Sequence, residues 1–352
     1  MIKPQPLKKG DKIAIISLSS GILGEPFSAH EVRIGSMRMR EFGLEPVFME
    51  NTLKGLNYTR NHPEKRAADL KAAFLDESIS GIISAIGGDD TFRTIPYLME
   101  DEEFIAAVRK NPKFFLGFSD TTNNHFMFHK LGMQTFYGQA FITDLAELAD
   151  EMLPYTKNAF SECFSQQSGR KIVSSDTWYN ERTDFSEASV GLNRKSHRET
   201  HGYELLKGNS VFNGELLGGC IESMYDMITS KRYQEQGEII RKYKIFPEPD
   251  EWNGKILFAE TSEECPEPDK LAHMLETFRN YGIFERVSGI IIGKPQNETY
   301  YNEYKDIWIE ALKEIDISAL YNVNFGHAVP RTILPYGAEA CVDAKNKIIT
   351  IK

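Results

Sequence analysis

A chain of 352 residues is long enough for two domains with a substantial buried core. Hydrophobic residues make up 41% and charged residues 26%, the balance of an ordinary globular protein. A net charge of −10 argues against a nucleic acid polymer as partner, because neutralising a phosphate backbone takes a basic face; a small nucleotide in a local pocket stays compatible.

The opening "MIKPQPLKKGDKIAII" carries no apolar run of the length a secretory signal or a membrane span needs. The pattern then alternates. "KIAIISLSS" (12–20) reads as a buried strand. A helix over 28–43 follows, with Ser28 and Glu31 in capping-box spacing and Gly43 as its stop. "EPVFME" is a short strand, and a helix over 61–76 takes Asn61 as cap and Pro63 in its first turn. "ISGIISAIGG" (79–88) and "KFFLGF" (113–118) are further buried strands, the second feeding the helix of "TTNNHFMFHKLG". Alternation of this kind predicts a doubly wound, mostly parallel α/β sheet with ligands gathered at the carboxyl ends of its strands. From 165 to 212 the pattern is polar and turn-rich. Beyond it come an expected helix over 214–228, a strand "GKILFAE" (254–260), a helix over 269–281 and a strand "VSGIIIGKP" (287–295). A helix near 303–314 and a terminal hairpin complete the pattern. The expected division is an N-terminal domain (1–165), an interdomain linker or substrate loop (166–207) and a smaller C-terminal α/β domain (208–352).

The cysteines at 163, 220, 265 and 341 lack C-x-x-C spacing, so free thiols in a cytoplasmic protein are expected. Chemistry concentrates at strand ends. Ser119, between Gly117 and Thr121, sits where a strand turns into a helix. It departs from the G-x-S-x-G nucleophile elbow only at the later glycine, and a helix cap is the competing role. A serine nucleophile needs an oriented base. His125 and His129, and His197 and His201, are paired four apart without the H-E-x-x-H pattern of a zinc protease, which leaves them as packing or surface residues. His327, in the Gly- and Pro-rich "NFGHAVPRTILPYG", is the better candidate. Glu260, a carboxylate ending an apolar strand, needs a partner there or begins a solvated acidic loop. "IGGDDTF" resembles the GGDGT phosphate-binding turn of NAD and diacylglycerol kinases, yet Asp90 replaces the third glycine and adds a carboxylate where phosphate would approach. A kinase and a non-catalytic ligand-binding protein are thus the alternatives of another class.

Four segments, "AIGGDDTFRTIPYL", "GFSDTTNNH", "GKILFAE" and "FGHAVPRTILPYGAEA", resemble signature blocks of the LD-carboxypeptidase and microcin C immunity family of serine peptidases; "GELLGGCIESM" resembles a fifth. The resemblance implies a Ser119–Glu260–His327 triad in a cleft between the domains, with the N–H groups of Gly88 and Asp120 as the oxyanion hole and Gly87 beside the substrate. It also implies a cytoplasmic homodimer with no metal and no cofactor. The microcin branch cleaves aminoacyl or peptidyl nucleotide conjugates; the murein branch releases D-alanine from tetrapeptides. Trp178, in the long polar segment, resembles the tryptophan with which the microcin branch stacks on a nucleobase, and that branch is favoured. Cys220 departs from the asparagine some relatives carry.

Overall fold

The computed structural model describes residues 1–166 and 168–352; Gln167, within the expected linker, lies outside them. Near-continuous apolar runs form the first sheet: β1 (Lys12–Ile16), β2 (Glu45–Phe48), β3 (Ile79–Ser84), β4 (Phe114–Gly117) and β5 (Thr135–Tyr137). All pair in parallel in the order β5-β4-β3-β1-β2. Such runs suit strands covered by helices on both faces, and β4 is buried throughout. The helix Glu102–Lys110 is capped by Asp101, whose side chain accepts from Phe104 N–H at 2.9 Å.

The second sheet is larger. Its strands are β6 (Lys171–Val173), β9 (Glu204–Lys207), β10 (Val211–Cys220), β11 (Lys255–Glu260), β12 (Gly289–Gly293), β13 (Ala319–Val323), β15 (Glu339–Asp343) and β16 (Ile348–Ile351). They run in the order β6-β16-β15-β10-β11-β12-β13-β9, parallel from β10 to β13. A separate ribbon joins β7 (Thr177–Tyr179) to β8 (Ser196–Arg198), and β14 (Leu334–Tyr336) crosses back to pair antiparallel with β5. A segment of the expected C-terminal domain therefore completes the first sheet.

Four expectations need correction. The 214–228 segment is strand as far as Cys220, and helix only over Ile221–Thr229. Gly218 decides this: at φ 153° it brings β10 so close to β11 that a Cβ would stand 1.9 Å from the Phe258 carbonyl oxygen. The 61–76 helix is two helices, Leu56–Asn61 and Pro63–Leu75, because the residue before a proline is driven out of helical geometry; His62 has φ −129° and ψ 63°. Ser28 makes no capping bond. The 166–207 stretch is not a free connection, since β6 and β9 complete opposite edges of the second sheet. No helix among the described residues is long and apolar enough to cross a membrane.

Candidate active site

At the end of β4 the backbone is extended at Phe118 and then turns sharply, leaving Ser119 at φ 65°. A non-glycine residue held in the left-handed region stores backbone strain, as a serine on a nucleophile elbow does. Its N–H donates to the Tyr137 hydroxyl at 3.2 Å, and its carbonyl accepts from Thr122 Oγ1 at 2.6 Å. Neither the short turn at 119–121 nor the helix Thr122–Lys130 receives a side-chain capping bond, so the capping role for Ser119 falls away.

Glu260 ends β11, buried, with both oxygens engaged. Oε1 accepts from the Tyr137 hydroxyl at 2.6 Å; Oε2 accepts from the His327 N–H at 3.0 Å and pairs with His327 Nδ1 at 2.8 Å. The other ring nitrogen, Nε2, pairs with Glu263 Oε2 at 2.9 Å. Burial alone would lower the imidazole pKa, but the Glu260 charge and the hydrogen bonds to Glu260 and Glu263 overcome it and raise the value to about 10. The bond to His327 correspondingly holds Glu263 down at about 2. His327 packs against the Phe118 ring, centroids 4.9 Å apart. The Ser119 hydroxyl is not hydrogen-bonded to it.

Asp120 is an anchor by its side chain. It accepts from Ser19 Oγ at 2.7 Å, Thr91 N–H at 2.8 Å and Asn123 Nδ2 at 2.9 Å. Burial raises its pKa to about 6, with Asp90 and Asp89 adding to the rise and the Ser19 and Thr91 bonds opposing it. Asp90 is committed to the buried Arg66 guanidinium at 2.6 Å, so the "GGDD" turn is held by an ion pair and ringed by carboxylates. That is a poor setting for phosphate, and the kinase reading loses its basis.

Two cavities meet at the serine. One, of about 550 Å³, is lined from both lobes, including Gly87, Gly88, Ser119, Phe185, His327 and Arg331. The other, of about 40 Å³, is lined by Gly88, Asp89, Ser119, Glu222, Gln236 and Glu263 among others. Both share Gly88, Ser119 and Glu263. Cys220, Glu260 and His327 also hold three potential metal donors within 4.8 Å of one another. Burial pushes the Cys220 thiol well above its usual range, so it is poorly disposed to supply the thiolate a metal prefers.

This arrangement has known counterparts. Residues 13–138 match the family model of the LD-carboxypeptidase N-terminal domain, and residues 213–342 that of the LD-carboxypeptidase C-terminal domain. The chain belongs to the LD-carboxypeptidase family. Among its relatives are the microcin C7 self-immunity protein MccF of Escherichia coli, 26% identical over 98% of this chain and 94% of that one, and a Bacillus subtilis protein named "Probable murein peptide carboxypeptidase", 26% identical over 99% and 94%. Among solved structures, an MccF-like protein from Streptococcus pneumoniae in complex with AMP superposes with a TM-score of 0.92. It is 48% identical, covering 97% of this chain and 98% of that one.

Within this LD-carboxypeptidase fold, Glu260 is bonded to His327, Ser119 lines the same cavity as His327 with no hydrogen bond between the two, and Gly87 and Gly88 line that cavity as well. Trp178 does not reach either cavity. It is buried, stacked on His197 at 4.0 Å with Lys294 Nζ 5.1 Å over the ring, so its faces are already covered. Two site residues escaped sequence reasoning. Tyr137 ends β5 one strand beyond Ser119, a position that strand order alone would have flagged. Glu263 lies in the acidic run after Glu260, which reads as a solvated loop until His327 is placed against it.

Proposed function

We propose that this protein is a serine hydrolase that cleaves the amide joining an aminoacyl or peptidyl group to a nucleotide-like moiety. The observation that carries the reading is Ser119, held at φ 65° on the same cavity as an imidazole already bonded to a buried carboxylate. Ser119 Oγ attacks the scissile carbonyl and His327 Nε2 takes its proton, Glu263 giving way. Glu260 fixes the tautomer and stabilises the imidazolium. The Gly88 and Asp120 N–H groups receive the oxyanion, one such donor being worth about 3 kcal/mol. His327 then protonates the departing nitrogen, and water releases the acyl group from Ser119.

A nucleotide conjugate is favoured over a muropeptide by the larger cavity. Its roughly 550 Å³ suits a ligand of nucleotide size, and D-alanine would leave most of it empty. Arg331, 2% exposed, lines it with Nη1 lacking a hydrogen-bond partner among the described residues, a donor suited to a phosphoryl or sulfamoyl oxygen. The 48% likeness to a protein bound to AMP supports the same branch. The likeness to a protein named a probable murein peptide carboxypeptidase supports the murein tetrapeptide as the second reading. Mass spectrometry after incubation with an aminoacyl sulfamoyl-adenosine and with a murein tetrapeptide separates the two. Ser119→Ala should abolish cleavage of either while still binding it, and turnover by that variant would remove the proposal.

A further inference from the structure

The two cavities that meet at Ser119 differ in which half of the substrate each can take. A base that protonates the departing nitrogen must face the leaving group, and His327 lines the large cavity but not the small one. The small cavity is thereby left for the acyl side.

Its chemistry is lopsided. Six acidic residues line it, Asp89, Asp120, Glu222, Asp226, Glu263 and Glu264, against a single arginine. That arginine, Arg232, is shared between Glu264 at 2.5 Å and Asp226 at 3.5 Å. Glu222 is 6% exposed; it is hydrogen-bonded to the Ser262 N–H, the Ser262 hydroxyl and the Cys220 thiol, and none of them is a cation.

An independent observation comes from Gln236, which is 2% exposed and lines the same cavity. Asn123 Nδ2 donates to the Asp120 carbonyl and carboxylate, so Asn123 Oδ1 is the atom that accepts from Gln236 Nε2 at 3.3 Å. The amide orientation of Gln236 is thus fixed, and its Oε1 remains a buried acceptor with no partner among the described residues. Orphaned buried acceptors are rare and call for a donor.

Resting on the hydrolase reading above, we infer that the acyl group of the substrate carries a primary ammonium that enters this cavity, where Gln236 Oε1 and the surrounding carboxylates receive it. The size agrees. A volume of about 40 Å³ has room for an ammonium, since about 10–15 Å³ on the same measure already holds a water. An ammonium is attracted by the acidic lining, and a carboxylate is repelled.

The ammonium can be the α-amine or a side-chain amine, and four substrates distinguish them: alanyl, N-acetyl-alanyl, lysyl and Nα-acetyl-lysyl sulfamoyl-adenosine, with the aspartyl compound as the anionic control. Binding is read by calorimetry on Ser119→Ala and cleavage on the wild type. The inference expects at least about a tenfold loss in affinity and kcat/KM when the recognised amine is acetylated or missing, with the aspartyl compound below alanyl. An α-amine site penalises N-acetyl-alanyl and Nα-acetyl-lysyl alike. A side-chain site leaves lysyl and Nα-acetyl-lysyl equal and both well above alanyl. Gln236→Leu and Asp226→Asn should each bring the ratio of amine to acetylated substrate toward one, whereas general damage to the fold lowers both and leaves the ratio. Equal handling of all five compounds overturns this inference and leaves the hydrolase reading standing. Failure of every compound to bind or be cut overturns both. Competition by Mg²⁺ or Ca²⁺ against the lysyl compound, absent with its acetylated forms in the Gln236→Leu variant, would reassign the cavity to a metal ion and overturn the ammonium.

Discussion

The Tyr137 hydroxyl donates to Glu260 Oε1 at 2.6 Å, joining the last parallel strand of the first sheet to the strand tip that carries the acid in the second. The same oxygen accepts the Ser119 N–H at 3.2 Å, so one phenol ties the Ser119 backbone to the carboxylate bonded to His327. Burial, the Glu260 charge and the bond it makes all hold this phenol protonated, well above its usual range, and it can therefore only donate to Glu260. Tyr137→Phe removes that donor without changing the volume of the ring. A hydrogen bond to a charged group contributes about 1.5–3 kcal/mol, and half of that appearing in the transition state lowers kcat about fourfold to tenfold. Wild-type kcat in a variant with an unchanged near-UV spectrum would show that the link is structural only.

Glu263 should set the pH range of the reaction. His327 works as a base only when neutral, so activity falls on the acid side of its pKa, and two carboxylates raise that pKa well above the ordinary 6.5. The acid limb of kcat/KM, which reports the unliganded protein, is expected in the alkaline range. Glu263→Gln retains a hydrogen-bonding group but removes one charge, and should move that limb to lower pH by about one unit or more. Superimposable profiles would mean that Glu263 leaves the imidazole before the measured step and has no hold over it.

The fold was legible where chemistry and periodicity coincide. β4 and β11 are apolar runs that stop at a polar residue, and both stop where the structure has a functional group, Ser119 and Glu260. The convergence of those tips on one cavity was not readable from local pattern, because it depends on how residues from two separate sheets are brought together. Gly218 and Gly219 misled in the opposite direction. They sit within the segment expected as helix, yet Gly218 is where β10 lies too close to β11 for any side chain, and Gly219 is where β10 abuts Thr122. The polar stretch after residue 165 hid four short strands because two of them only finish the edges of a sheet begun elsewhere. Periodicity over three residues carries no signal.

Gly326 is the residue that lets His327 approach Glu260. It adopts φ 77°, and a Cβ there would stand 2.3 Å from the Glu260 carboxylate. Gly326→Ala combines left-handed backbone strain with displacement of the acid. It should lose about 1–3 kcal/mol of stability and most of the activity together. Chemical denaturation alongside kcat checks both, and a variant that loses neither would mean the loop can shift without disturbing the pair.

Recognition of a nucleobase should depend on Phe185 and not on Trp178. Phe185 lines the large cavity and is 41% exposed, so an incoming ring gains contact that is now made by solvent. Its carbonyl is tied to His30 Nε2 at 3.0 Å, which fixes the loop that presents it. Trp178 already spends one face on His197 and has Lys294 over its ring, and a base could stack there only by breaking that arrangement. Stacking of a base on an aromatic side chain contributes about 1–3 kcal/mol, which corresponds to roughly a fivefold to hundredfold rise in KM for Phe185→Ala with a nucleotide conjugate. Trp178→Phe should leave KM within about twofold and act on stability, since it thins a stack that holds β7 to β8. The reverse pattern, with KM sensitive to Trp178 and indifferent to Phe185, would show that the β7–β8 ribbon opens to the ligand and that the cavity seen here is not where the base sits.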